Sequence, residues 1–234
     1  MKLPFLVSVP HSGQHIPQEV QDICILTPEH IYEDSDWGAE DIYYGLEKSV
    51  EAFISSDVAR AIVDLNRAAD DFRKDGVVKT HTCYDIPVYI KFPSRKLIEQ
   101  LLSDYYHPYH LKLEQLAEIG NVKVGIDCHT MAEVGPPVGP DAGKTRPLAC
   151  ISNADRTCPD DWLHSLVDCF HNVFPQEKIT INTPFKGGFI VRNHSAKLPW
   201  LQIEFSRSGS ISSKDKRDGV REALSTWSKT VFGS

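Results

Sequence analysis

At 234 residues, with 41% apolar and 24% charged side chains, the chain is long enough to bury a large core and reads as one globular domain over 1–234. Twenty-five basic residues face thirty-two acidic ones, for a net charge of -7, and no lysine or arginine run is present to follow a phosphate backbone, which excludes nucleic acid as a partner. No stretch approaches the roughly 20 apolar residues of a membrane span, and the N-terminal MKLPFLVSVPHSG is too short in apolar residues for a secretory signal; the expectation is a cytoplasmic protein without a membrane partner.

In chain order, the first expected element is a strand at 5–9 that delivers His11, with Gly13 allowing a tight turn where the chain leaves the sheet. EDSDWG then places Asp34 and Asp36 ahead of a helical segment at 39–50, where two acids fit a helix N-cap as well as a metal ligand. After a strand at 52–54, Val63-Asp64-Leu65-Asn66-Arg67 sets an amide beside a guanidinium. Arg67 suits a bidentate grip on a carboxylate, Asn66 donates to a neighbouring oxygen and Asp64 braces them; a salt-bridged turn is the alternative. Helical spacing covers 94–119, and His107 and His110 within it read as packing residues or as supports behind the site, with metal binding the lesser alternative.

A strand at 122–126 ends in Asp127-Cys128-His129-Thr130, followed by EVGPPVGPDAGK at 133–144, whose three prolines and three glycines mark a mobile loop. Further strands are expected at 148–151, 189–191 and 201–205, with helices at 160–174 and 214–232. Gly187-Gly188 ahead of the 189–191 run fits close approach to a ligand or a hairpin turn, and Lys186 and Arg192 beside it supply positive charge. The 201–205 strand carries Glu204. Buried strands alternating with helices predict an α/β three-layer sandwich around a central mixed, largely parallel sheet, of the phosphorylase/hydrolase-like kind, with ligands beyond the carboxyl ends of the strands.

Six cysteines (Cys24, Cys83, Cys128, Cys150, Cys158, Cys169) include no Cys-x-x-Cys pair, so a thiolate metal cluster is excluded and free thiols are expected. Cys128 adjoins His129 and therefore points to the opposite face of its strand, which argues against a Cys–His pair. The four tryptophans, distant in sequence, are expected to anchor the core.

His11 and His129 with one carboxylate make a ligand set for catalytic Zn²⁺ with a fourth position left for water. The position three residues after His11 is Gln14, so the acid must come from elsewhere; Asp36 is preferred over Asp34 because it lies just before Trp37 and the helical segment. Glu204 suits the general base, because burial raises a glutamate towards neutrality.

PHSG, DSDW, DLNR, DCHT, PFKGGFIVR and LQIEFSR occur in an order that resembles the N-formylglutamate amidohydrolase family, from Val7 to about Arg207. That family is similar in architecture to the zinc carboxypeptidases and aspartoacylase. The resemblance implies hydrolysis of a short N-acyl group on an acidic amino acid such as N-formylglutamate, with Zn²⁺ on His11, Asp36 and His129, base duty on Glu204, and substrate binding by Asn66, Arg67 and Arg192. Two alternatives keep the same residues: a zinc peptidase or a deacylase of another acyl amino acid, and a metabolite-binding protein that has lost catalysis.

Overall fold

The computed structural model of the chain describes residues 2–139 and 141–233. Its strands are β1 (Leu3–Val9), β2 (Val50–Ser55), β3 (Val124–Met131), β4 (Ala149–Ser152), β5 (Ile179–Ile181) and β6 (Trp200–Ser206). They form one sheet in the order β2-β1-β3-β6-β4-β5. β2, β1, β3 and β6 are parallel neighbours, β4 runs antiparallel to β6, and β5 is parallel to β4, so the sheet is mixed and mostly parallel as expected.

Helices cover both faces. They are α1 (Pro28–Asp34), α2 (Ala39–Ile42), α3 (Leu46–Ser49), α4 (Arg95–Leu101), α5 (His107–Ala117), α6 (Asp160–Val173), α7 (Phe189–His194) and α8 (Ser213–Phe232). On one face Phe5, Val7 and Val9 of β1, Val124, Ile126 and Cys128 of β3, and Leu201, Ile203 and Phe205 of β6 pack beneath α2, α6 and α8. On the other, Leu6 and Trp200 pack with residues of α4, α5 and α7. Strand alternation sends the remaining side chains of β1, β3 and β6 to this second face, and towards the carboxyl ends they turn polar: Ser8, Asp127, His129, Gln202 and Glu204, all buried. The parallel register sets Ser8 beside Asp127, Asp127 beside Gln202 and His129 beside Glu204. Three neighbouring strands thus present one polar stripe inside the molecule.

Three elements differ from expectation. The helix expected at 39–50 is two short helices, because Gly45 takes φ +78° and breaks the first before β2 begins at Val50. The 94–119 segment is α4 and α5 joined by a π-helical turn, Leu102–Tyr106. The expected strand at 189–191 is α7. Its Phe-Ile-Val run has strand propensity, but β6 is already flanked by β3 and β4, and side chains satisfy the local donors instead: Gln202 Oε1 accepts from Gly188 N and Asn66 Oδ1 from Ile190 N. The three-residue β5 was not anticipated, being too short to show a period.

The 133–144 segment is a loop whose described residues are tied back on themselves. Val134 pairs with Thr145, Gly135 N donates to Lys144 O at 2.9 Å, and Arg146 grips both carboxylate oxygens of Asp141 at 2.8 Å. Pro140 in that stretch lies outside the described residues. No helix is long and apolar enough to cross a membrane among the described residues.

Candidate functional site

The carboxyl ends of β1, β3 and β6 open into a cavity of about 230 Å³ whose lining includes His11, Asp36, Asn66, Arg67, His129 and Glu204. Each arrives from a different local cause. His11 sits in the turn after β1, and that turn packs so closely on the 56–57 backbone that a Cβ on Gly13 would lie 2.2 Å from the Asp57 carbonyl carbon. Gly13 is therefore needed for close approach rather than for an unusual φ. Asp36 follows α1, and its backbone N donates to His11 O at 3.0 Å, fixing the two side by side. His129 and Glu204 lie inside β3 and β6, two residues before each strand ends, because pairing between the two strands continues to Met131 and Ser206.

The three candidate metal ligands converge. Donor atoms of His11, Asp36 and His129 lie within 4.8 Å of one another, and all three residues are buried. Asp36 Oδ2 is 2.9 Å from His129 Nδ1 and 3.6 Å from His11 Nδ1. Behind each imidazole stands a carboxylate: His11 Nε2 lies 2.8 Å from Asp64 Oδ1, and His129 Nε2 lies 2.8 Å from Asp127 Oδ2. A carboxylate only accepts, so each Nε2 carries a proton; without a cation His129 also keeps one on Nδ1 for Asp36, its pKa held, against the effect of burial, well above the usual imidazole range by Asp127 and Glu204, and a bound cation would take the place of that proton. A cation at that point would meet two Nδ1 atoms and the Asp36 carboxylate as three acceptors, and His11 Nδ1 is already buried with no hydrogen-bond partner among the described residues. This donor set fits a divalent cation, which satisfies all three acceptors at once.

Asp34, the competing acid, is engaged elsewhere: it accepts from Lys79 Nζ at 2.9 Å and from Cys83 N at 2.7 Å. Lys79 is 1% exposed and also lies 3.7 Å from Asp64, so Asp34 belongs to a buried ion-pair chain behind the cluster. Arg60, which the sequence reading did not single out, pairs with Asp36 at 3.4 Å and Asp64 at 3.2 Å.

Electrostatics separates the carboxylates. Burial works to raise Asp64, but Arg67, His11 and Arg60 hold it well below the usual carboxylate range. Burial likewise acts on Asp36, and the two imidazoles outweigh it, leaving it well below as well. Glu204 goes the other way: burial pushes it up to about 7, with Asp36 adding to the rise and His129 opposing it. One oxygen of Glu204 accepts from Gln202 Nε2 at 2.9 Å, which orients the carboxyl group.

Asn66 and Arg67 both line the cavity. Asn66 Nδ2 donates to Asp127 Oδ2 at 3.3 Å, and a Cβ on Gly188 would come within 2.2 Å of that amide, so the paired glycines serve close approach and not a hairpin. Each nitrogen of Arg67 has a partner: Nε donates to Asp75 O at 2.9 Å, Nη1 to Asn66 O at 3.1 Å, and Nη2 pairs with the Asp75 carboxylate at 3.4 Å, which leaves the second proton of each Nη to face the cavity. Arg192 is not brought to the cavity; it lies in α7, 41% exposed, with its guanidinium paired to Asp155. A helix in place of the expected strand turns that residue outwards. Lys186, Arg146 and Arg207 line the cavity in its stead.

Two supporting residues were within reach of the sequence. Asp127 and Gln202 stand two positions before His129 and Glu204, hence on the same strand face. Arg60, Lys79 and Arg146 carried no local signal. His110 packs as expected, 2.9 Å from the stacked ring of His194, and all six cysteines are free. Trp200 and Trp227 are fully buried anchors, whereas Trp37 lies under the Arg207 guanidinium at 4.9 Å and so departs from the core role expected of it.

Known proteins with this fold fit the same picture. A solved N-formylglutamate amidohydrolase from Ralstonia eutropha JMP134 superimposes with a TM-score of 0.77 at 17% identity, covering 98% of this chain and 93% of its own. A gene product of Agrobacterium tumefaciens gives 0.76 at 16% identity over 99% and 92%. At these identities the likeness speaks for the fold. In sequence the chain is 25% identical over 205 residues to the N-formylglutamate deformylase of Pseudomonas aeruginosa, covering 82% of this chain and 75% of that one. The N-formylglutamate amidohydrolase family model matches residues 3–210, which takes in every motif from the His11 turn to Arg207, and on that match the chain belongs to the N-formylglutamate amidohydrolase family.

Proposed function

We propose that this chain is a metal-dependent amidohydrolase that removes a short N-acyl group, such as formyl, from an acidic amino acid such as N-formylglutamate, with Zn²⁺ held by His11, Asp36 and His129. The observation that carries the reading is the convergence of two imidazole Nδ1 atoms on Asp36, each imidazole backed by its own carboxylate, beside a glutamate raised to about 7. Neutral nitrogens and a carboxylate are the ligand types zinc favours, and none of the six thiols is near enough to join the cluster among the described residues. When bound, the ion supplies Lewis-acid polarisation of the scissile carbonyl and lowers the pKa of water.

The chain's own residues account for the rest. Asp64 and Asp127 hold the imidazole planes and fix their tautomers. Glu204, ionised near neutral pH, takes a proton from the attacking water at its carboxylate and returns it to the departing nitrogen; a base with pKa near the working pH is best matched to that double transfer. Arg67 receives the α-carboxylate, and Asn66, its amide tied between Asp127 and the α7 backbone, stands beside it at the cavity wall. The small cavity favours a small acyl amino acid over an extended peptide, since pockets for drug-sized ligands run to roughly 300–1,000 Å³.

Glu204→Gln keeps the shape and removes the base. It is expected to bind Zn²⁺ stoichiometrically and to lose about 10²- to 10⁴-fold in kcat on N-formylglutamate. Parental turnover in that variant would defeat the assignment of the base, and a parental enzyme that prefers short peptides over N-formyl, N-acetyl and N-succinyl amino acids would replace the substrate class.

A further inference from the structure

We propose that Arg207 is the specificity-determining residue of the site, receiving the side-chain carboxylate of the substrate while Arg67 receives the α-carboxylate. This rests on the amidohydrolase reading above and deepens it. The observation is that Arg207 is a largely buried cation at the cavity wall with no ion-pair partner among the described residues. Each of the other arginines lining the cavity has one: Arg60 holds Asp36 and Asp64, Arg67 holds Asp75, and Arg146 is gripped on both nitrogens by Asp141. Arg207 donates from Nη1 to the Ser35 carbonyl at 2.6 Å and lays its planar face on Trp37 at 4.9 Å. Its Nε is buried without a hydrogen-bond partner among the described residues.

A guanidinium in this state is costly unless an anion completes it. The parts present serve to aim it. Backbone pairing of Arg207 N with Met131 O at 2.9 Å fixes the root of the side chain at the end of β6. Trp37 below and Ser35 beside it restrict rotation of the plane, so a carboxylate meets a pre-oriented donor edge. Burial already lowers the Arg207 pKa, as expected for a cation awaiting its counter-charge.

The assignment of the two carboxylates follows from position. In an N-acyl amino acid the α-carboxylate is one carbon from the scissile nitrogen, and the side-chain carboxylate of glutamate is two carbons further away. Arg67 is chained to Asn66, whose amide reaches Asp127 behind His129. Arg207 instead lies over Trp37, which also lines the open groove outside the cavity together with Tyr84. The nearer carboxylate therefore goes to Arg67 and the farther one to Arg207.

The test compares N-formylglutamate with N-formylglutamine, which differs only in lacking the distal charge, and adds direct calorimetric binding of glutarate to the zinc-loaded protein. Arg207→Met retains the aliphatic stem over Trp37 and removes the charge; Arg207→Lys restores a charge. Arg207→Met is expected to lower kcat/KM about 10- to 100-fold on N-formylglutamate, mostly through KM, with little change on N-formylglutamine, to lose a similar factor in glutarate affinity, and to be partly rescued by Arg207→Lys. Equal losses on both substrates, or unchanged glutarate binding, would overturn the proposal. Failure of the amidohydrolase reading looks different: the parental enzyme would turn over neither formyl compound, while glutarate binding and its dependence on Arg207 would still decide the role of this residue.

Discussion

At the scale of single residues, the site is a set of side chains whose protonation is imposed by neighbours rather than by their own chemistry. His11 and His129 are each held at Nε2 by a buried carboxylate at 2.8 Å, and this turns both Nδ1 atoms to the same point beside Asp36. Asp64→Asn or Asp127→Asn is therefore expected to weaken Zn²⁺ binding about 10- to 100-fold without removing a ligand, as read by competition with a chromophoric chelator. Cys128→Ala, one position from His129 but facing the opposite core, provides the control and should leave zinc affinity unchanged. Glu204 gives a second residue-scale prediction. Its carboxyl is held at about 7 in the folded chain against an ordinary value of 4.5, so below 4.5 it is protonated folded or unfolded and costs nothing. Between 4.5 and 7 the folded protein keeps a proton that the unfolded chain has released, and stability falls as pH rises, by roughly 3 kcal/mol once above 7. In chelator-treated protein, Glu204→Gln should thus raise Tm at pH 8 and leave it unchanged at pH 4; a Tm difference independent of pH would refute the shifted carboxyl.

At the scale of elements, two positions separate stability from function. Ser212 caps α8, accepting from Asp215 N at 3.1 Å, and is not among the residues lining the cavity. Ser212→Ala should cost about 1 kcal/mol in urea denaturation and nothing in turnover. Gly188 shows the opposite pattern. It leads into α7 with an extended backbone that alanine also adopts, but the added methyl would press on Asn66. Gly188→Ala is expected to lose at least about tenfold in kcat/KM through displacement of that amide, with a small change in Tm. The α7 segment also shows how a local preference is overruled: Phe189, Ile190 and Val191 favour a strand, but with both sides of β6 taken and Asn66 and Gln202 supplying acceptors, a helix satisfies the backbone at lower cost.

At the scale of the whole molecule, the sheet has an apolar half-thickness and a reactive one. One face of β1, β3 and β6 is continuous with the α6 and α8 core, and the other changes from Leu6 and Trp200 to Asp127, His129 and Glu204 along the same strands. At this end Asp36 is offset by Arg60 and the two imidazoles, and a bound cation adds a further counter-charge between them. Zinc binding to the folded chain alone should stabilise it by about 2.7 kcal/mol at a hundredfold excess over Kd, a Tm rise of several degrees that chelation reverses and calorimetry detects.

The sequence by itself determined a good part of this. Periodicity and length placed five of the six strands among the described residues and the long helices, and the position of His11 just after its strand and of His129 and Glu204 late in theirs follows from runs of apolar residues that end in polar ones. The even spacing of Asp127 and His129, or Gln202 and Glu204, is equally local, because a strand repeats every two residues. Contacts between distant segments were a matter for the tertiary structure. Asp36 stands against the histidines, and Asp34 against Lys79, through pairings 25 to 93 residues apart that no local pattern encodes. The same holds for Arg192, turned outward once α7 became a helix, and for Arg207, whose lack of a counter-charge shows only when the partners of every other arginine around the cavity are known. Local preferences act within a few residues, whereas burial and charge compensation are settled by which segments the sheet order brings together.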